Sequence, residues 1–134
     1  MKTINLKLEV IGTIEQVIEN LTKALQTEDF GVLTRIDLHL KIKEKLGKDI
    51  LPVVILGTCN PELAFQAYTA HSDVASLLPC NAVIRKLTSG RFSVELAKPT
   101  ALMAMLGDEN LIHLAQTADH KLERVLGVLR QTMD

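Results

Sequence analysis

Two Cys-Asn pairs are the residues of this sequence best suited to chemistry. The first, Cys59-Asn60, precedes Pro61, so that Asn60 is a favourable N-cap and the proline occupies the first helical position. Cys59 would then lie just before a helix N-terminus, where free N–H groups and the helix dipole favour a thiolate. The pattern is typical of a reactive thiol, and equally of a small buried cysteine at a strand end.

The second pair, Cys80-Asn81, raises the question of whether the two cysteines meet. A disulfide needs Cα atoms within ~7 Å of each other. Cys59 ends one predicted strand and Cys80 begins the next, so they meet if those strands are antiparallel neighbours. Parallel neighbours with a helical crossover would leave them roughly 20 Å apart. Without CxxC or HxxxH spacing we predict no metal site, and the cofactor stays open.

Asp37 is a further candidate, because it follows a predicted strand and precedes a predicted helix. It is suited to acid–base chemistry or to a ligand contact, and also to the plain role of a helix N-cap. The predicted binding residues are therefore Cys59, Asn60, Cys80, Asn81 and Asp37. No catalytic set is assigned, since no base can be matched to a nucleophile.

The hydrophobic pattern predicts the elements that would position these residues. Alternation of apolar residues indicates strands, and repeats of three or four indicate helices. We predict strands at 4–10, 31–36, 52–56, 81–87 and 92–97, and helices from Thr13 to near Asp29, at 38–46, from Pro61, from Pro99 to Gly107 and at 108–132, with a loop at 72–77. The order β-α-β-α-β-α-β-β-α-α contains one hairpin and predicts an α+β domain with a mixed or largely antiparallel sheet.

Composition bounds the class of protein. The chain has 134 residues, which predicts a single domain over 1–134, and 47% of them are hydrophobic. A net charge of −1 and 3% aromatic residues argue against nucleic acid as a partner. No window is apolar enough for a membrane span, and no export signal is evident. We therefore expect a cytoplasmic protein, with no membrane partner and both thiols free.

Four blocks of sequence resemble the domain-of-unknown-function 302 family. They are Phe30–Thr34 with Ile36-Asp37, Lys43–Gly47, Ile55–Pro61 and Leu77–Asn81, and the match covers nearly the whole chain. The resemblance implies a small α+β domain without an assigned activity. The chain departs from the family pattern at Lys98-Pro99, where the family tends to have Asp-Pro, and at Glu62, where it tends to have Pro.

These observations leave three hypotheses for function. The first is a homo-oligomeric module, expected to be a homodimer, that binds or senses a small anionic or thiol-reactive ligand around the two Cys-Asn motifs. The second is an enzyme of thiol or sulfur chemistry with Cys59 as nucleophile. The third is a protein-interaction module that uses the apolar helix at 101–106, where flexible methionines suit adaptable contacts.

Overall fold

A five-stranded antiparallel sheet with helices packed on it forms the domain in the computed structural model, which describes residues 3–133. The strands are β1 (Asn5–Ile11), β2 (Gly31–Asp37), β3 (Val53–Cys59), β4 (Cys80–Thr88) and β5 (Arg91–Ala97). The helices are α1 (Ile14–Gln26), α2 (Leu38–Leu46), α3 (Pro61–Ala70), α4 (Pro99–Met103) and α5 (Glu109–Met133), with 3-10 helices at Ser72–Leu77 and Ala104–Leu106. The predicted α+β class and element order are confirmed.

The sheet order β1-β5-β4-β3-β2 brings the two cysteines to one end of the sheet. All four neighbouring pairs are antiparallel. Helix α3 joins β3 to its direct neighbour β4, rather than crossing over between parallel strands. Of the two arrangements that the sequence left open, the antiparallel one is therefore correct.

The main core lies between one face of the sheet and helices α1 and α5. Alternate residues of β1 and β5, such as Leu8 and Val94, point to this face. Leu21 and Leu25 of α1 and Leu129 of α5 are completely buried against them. Each such leucine contributes roughly 2 kcal/mol through the surface it removes from water.

A second, smaller core lies beyond the end of the sheet. It contains Ala67 of α3, Met103 of α4, and Leu111 and Ala115 of α5. Val74 completes it from the segment predicted as a loop at 72–77, and that prediction is wrong. The segment is a 3-10 helix in which Val74 is completely buried. The room between the two cores is where the candidate site lies.

Strand β3 runs further than the sequence pattern suggested. The predicted strand stops at residue 56, just before Gly57, but pairing continues to Cys59. Gly57 lies inside the strand because a Cβ there would collide with Thr34 Oγ1 and with the Pro79 ring. The glycine thus permits close approach of neighbouring strands, which is a common reason for a glycine inside a sheet.

Helix α1 begins where the sequence predicts and ends earlier. A capping box between Thr13 and Gln16 starts it, and it ends at Gln26, before the expected end near Asp29.

Within residues 3–133, no helix combines the length and the apolar character needed to cross a lipid bilayer.

Candidate functional site

A small apolar cavity lies between the end of the sheet and helices α3, α4 and α5. Its volume is about 50 Å³. That is room for roughly three or four water-sized groups, given about 15 Å³ for each. Ala64 and Ala67 of α3 and Ala115 and Ala118 of α5 line it. These small side chains, spaced by three along their helices, are the reason that the helices leave room between them.

Both cysteines line this cavity. Cys59 is the last residue of β3 and Cys80 the first of β4. Thr58 pairs directly with Cys80, and its Oγ1 donates a hydrogen bond of 3.0 Å to the Cys80 carbonyl oxygen. Cys59 is one residue further along the strand. A spacing of about 5 Å between paired Cα atoms and a rise of about 3.4 Å give a Cα–Cα separation of about 6 Å between the cysteines.

The Cys80 thiol is neutral in the folded protein. Burial, followed by the neighbouring Cys59 and by Asp119, raises the pKa of Cys80 to about 11 from 9.0. Each of these causes penalises a negative charge on the sulfur. Cys80 therefore meets the cavity as a thiol, a soft and weakly polar group, and not as a resident anion.

Asn60 lines the cavity as a structural residue. Its Oδ1 accepts a hydrogen bond of 3.2 Å from the Leu63 N–H, which confirms the predicted N-cap of α3. Its Nδ2 donates 3.2 Å to the Glu28 carbonyl oxygen. Both functional groups of the amide are therefore engaged, and Asn60 fixes the position of Cys59 relative to α3.

The structure adds Asp119 of α5, which sequence reasoning missed. Its side chain is 8% exposed and accepts hydrogen bonds from Thr100 N (3.1 Å) and Thr100 Oγ1 (2.5 Å). Lys98 occupies the N-cap position of α4 and makes no side-chain cap bond. The carboxylate that satisfies the start of α4 thus comes from a distant helix, which no local pattern reveals.

Met103 is a second residue that the sequence did not assign to the site. It is 5% exposed and lines the cavity from α4. Met105, two residues later, is 70% exposed. The apolar segment at 101–106 is therefore divided, with one methionine in the cavity wall and one at the surface. Its all-apolar sequence gave no sign of this division.

Asn81 and Asp37 lie apart from the cavity lining. Asn81 is exposed and pairs with Gly57 in the sheet. Successive residues of a strand point to opposite faces, so the period of two already separates Asn81 from Cys80. Asp37 occupies the N-cap position of α2, as predicted, but its side chain makes no cap hydrogen bond. Its Oδ1 instead accepts 2.8 Å from Arg35 Nε.

Arg35 explains why Asp37 does not cap. The guanidinium is shared between Asp37 and Glu15 of α1, with Nη2 3.0 Å from Glu15 Oε1. The hydrogen bonds that Arg35 donates to Glu15 and then to Asp37 raise the pKa of Arg35. This exposed ion-pair cluster connects β2 to α1 and lies apart from the cysteines.

No ligand set for a conventional metal centre is found. Within residues 3–133, no group of three His, Cys, Asp or Glu side chains could hold one ion. Of the side chains lining the cavity in that range, the two thiols are the only ionisable ones. The arrangement is thus suited to a small uncharged group that meets sulfur.

Comparison with known proteins places the chain in a family. The model of the family described as "Domain of unknown function DUF302" matches residues 6–129. The crystal structure of an uncharacterised conserved DUF302 protein from Bacillus stearothermophilus is similar, with a TM-score of 0.84 and 30% sequence identity over 96% of this chain and 98% of that one. No protein of curated function matches. The chain belongs to the DUF302 family.

Proposed function

We propose that this domain is a binding or sensing module for a small, uncharged, thiol-reactive ligand. The observation that carries the proposal is the cavity of about 50 Å³ lined by Cys59 and Cys80 and otherwise mostly by apolar side chains. A site of this kind selects by size and by affinity for sulfur. In the reducing compartment that we predict, both thiols stay free to react.

Of the two ligand classes predicted from the sequence, an anion is the less favoured. An anion at the N-terminus of α3 would lie beside Asp29 and Glu62, which line the open depression there together with Lys121. The N–H of Leu63 is already occupied by Asn60. A negative charge inside the cavity would also oppose the effect of burial on Cys80.

The enzyme alternative, with Cys59 as nucleophile, has weaker support. A nucleophilic thiol needs a base within hydrogen-bonding reach to take its proton. The cavity lining within residues 3–133 includes no His, Asp, Glu or Lys side chain. Binding, with or without a slow reaction at sulfur, is therefore the better-supported reading.

The proposal includes a homodimer, as expected from the sequence, formed through the surface around β2 and α2. Leu33, Leu40, Leu46 and Leu51 are all more than half exposed. Leu33 lies on β2, Leu40 and Leu46 lie on α2, and Leu51 lies between α2 and β3. Large exposed apolar patches are typical of protein contacts. Charges of both signs alternate nearby, as in the Lys43–Asp49 pair 3.1 Å apart, which suits a second copy of the same surface.

Oligomeric state tests that part of the proposal. Leu40→Glu and Leu46→Glu should convert a dimer to a monomer in sedimentation equilibrium without lowering the melting temperature. Phe65→Glu on α3 is the matched control, since Phe65 is 65% exposed and lies elsewhere. A wild-type chain that sediments as a monomer at every concentration would refute the dimer and leave the cavity proposal standing.

A size-selective thiol reagent tests the cavity proposal. Methyl methanethiosulfonate transfers a methylthio group to a thiol and releases methanesulfinate. Ellman's reagent instead transfers a bulky, charged arylthio group and releases the other half of its disulfide as an aromatic thiolate. The folded chain should react with the small reagent and resist the large one. Residue-by-residue mass spectrometry would locate the adduct at Cys59 or Cys80.

A filled cavity supplies the decisive comparison. Ala115→Leu places extra carbon atoms in the cavity wall and should slow the small reagent ~10-fold, a factor equivalent to about 1.4 kcal/mol. Ala104→Leu is the matched control on an exposed site. Equal rates in the two variants, with both folded by circular dichroism, would show that the reagent does not enter through this cavity.

A further inference from the structure

The cavity and the open depression beside it share part of their walls. The depression, at the N-terminus of α3, has a volume of about 390 Å³, against about 50 Å³ for the cavity. Asn60 and Leu63 line both of them. The two spaces are therefore neighbours, and a group that occupies the depression lies next to the cavity.

Three separate segments of the chain line the depression with one residue and the cavity with another residue one to three positions away. These pairs are Asp29 and Phe30 just before β2, Glu62 and Ala64 on α3, and Lys121 and Ala118 on α5. Residues three apart on a helix lie on the same face, with Cβ atoms about 5–6 Å apart. The depression therefore continues the cavity along the groove between α3 and α5.

Leu63 is the movable part of the wall between the two spaces. Asn60 is 6% exposed, and its amide is held at both ends, by the Leu63 N–H and by the Glu28 carbonyl oxygen. The Leu63 side chain is apolar and half-buried, so a change of its rotamer breaks no hydrogen bond. The width of the passage thus depends on the size and the rotamer of Leu63.

We propose that ligands enter the cavity from the depression and that Leu63 sets the upper limit on their size. The inference rests on the proposed function, since it concerns access to the same cavity. The depression has room for a bulky group and the cavity does not. Selection by size therefore takes place where the two spaces meet, at Leu63.

The charges around the depression add a second selection. Its lining includes two carboxylates, Asp29 and Glu62, and one ammonium, Lys121, whose Nζ lies 4.0 Å from Glu28 Oε1. The carboxylates outweigh the ammonium, and the dipole at the start of α3 offsets only part of their charge. Anions are therefore repelled before they reach Leu63, and the entrance favours uncharged ligands.

Two uncharged reagents of different size test the role of Leu63. Methyl and benzyl methanethiosulfonate both transfer their alkylthio group to a thiol and release methanesulfinate, so a change in the ratio of their rates between two chains reports access. In the reduced full-length chain, Leu63→Ala should raise the ratio of the benzyl rate to the methyl rate about 10-fold, because it removes the overpacking that the benzyl group meets. Leu106→Ala is the matched control and should keep the wild-type ratio. Leu106 is also half-buried against the second core, but it lies outside the cavity lining.

An equal rise in the two variants would overturn the inference, because it would show a general loosening of the second core. An unchanged ratio in Leu63→Ala would overturn it as well. Leu63→Phe covers the case in which Leu63→Ala does not fold. Its larger side chain should slow the methyl reagent ~10-fold, and a rate equal to that of wild type would contradict an entrance at this residue.

An anionic reagent tests the second selection. Sulfonatoethyl methanethiosulfonate carries one negative charge, and Glu62→Lys reverses an exposed charge at the entrance. The variant should react with this reagent about 5-fold faster than wild type. Glu19→Lys makes the same change at an exposed position on α1, outside the lining of the depression, and should alter the rate less than about 2-fold. Equal effects of the two variants would overturn the selection by charge.

The proposed function and this inference fail in different ways. A wild-type chain that reacts with the methyl reagent, but whose ratio of rates is the same in Leu63→Ala, refutes the entrance alone. A wild-type chain in which neither cysteine reacts before unfolding refutes both.

Discussion

Alkylation of Cys80 as a function of pH is the sharpest prediction from the site. Its pKa is raised to about 11 from 9.0 by burial, Cys59 and Asp119. Only the thiolate reacts, so the reactive fraction at a pH well below both values falls about 100-fold. In the folded chain, iodoacetamide should therefore modify Cys80 about 100-fold more slowly than in the chain unfolded in urea, from ionisation alone.

The pH profile separates ionisation from mere shielding. We expect the rate at Cys80 in the folded chain, followed by mass spectrometry, to keep rising tenfold per pH unit beyond about pH 9, where the unfolded chain levels off. A profile that levels off near the ordinary thiol value would refute the reasoning. It would show that shielding, and not a raised pKa, protects the residue.

The same shift predicts a loss of stability in alkaline solution. A thiol whose pKa is higher in the folded state stabilises the fold fully below its unfolded value of 9.0 and loses that stabilisation as pH rises through about 11. The difference corresponds to about 3 kcal/mol. Wild type should lose this stabilisation of the fold as pH rises from 9.0 to about 11, whereas Cys80→Ala should not. Parallel curves for the two chains would contradict the shift.

Three further predictions concern stability, measured by urea unfolding. Asp119→Ala should lower the free energy of unfolding by about 2–3 kcal/mol, because it leaves both Thr100 donors without their acceptor. Thr100→Val should lower it by less. Equal and negligible losses in the two variants would refute the capping role of Asp119. Burial favours a higher pKa for Glu95, but the hydrogen bonds that Arg85 and Ser93 donate to it outweigh burial and lower the pKa below 4.5. The stability advantage of wild type over Glu95→Gln should therefore shrink as pH falls below 4.5. A stability advantage that does not depend on pH would contradict this. Gly57→Ala should lower the free energy of unfolding by about 1–3 kcal/mol through overpacking. Its control is Gly31→Ala, which should lower it by less, because a Cβ there would meet no atom within 4 Å. Similar losses in the two variants would refute the close approach at Gly57.

Local signals in the sequence predicted most of the fold. The helix start at Thr13, the helix start at Asn60-Pro61 and the hairpin between β4 and β5 each depend on neighbours within a few residues, and all are confirmed. The α+β class and the element order followed from these signals. Gly57 misled the pattern because its role is set by a neighbouring strand, and not by a turn.

The site was predictable in part. Cys59, Asn60 and Cys80 lie together, but that depended on the antiparallel pairing of β3 with β4, which the sequence left open. Asn81 does not line the cavity, and strand alternation alone indicates that it points away from the face of Cys80. Met103 and Asp119 come from distant helices, and only the folded chain brings them to the cysteines.

His39 illustrates the same limit. No sequence motif surrounds His39, yet its Nδ1 accepts a hydrogen bond of 3.1 Å from Val53 N. This contact fixes α2 to the start of β3. The partner lies 14 residues away across a loop, so local spacing carries no trace of it.

Xenon under pressure tests the central claim, that the cavity beside the cysteines admits a small uncharged ligand. Apolar cavities bind xenon without any chemical reaction. In two-dimensional amide spectra of the wild-type chain, xenon should shift the signals of Cys59, Cys80, Ala115 and Ala118 in a saturable way, and Ala115→Leu should remove the effect. Shifts that are absent, or that grow linearly and persist in the filled variant, would contradict the account.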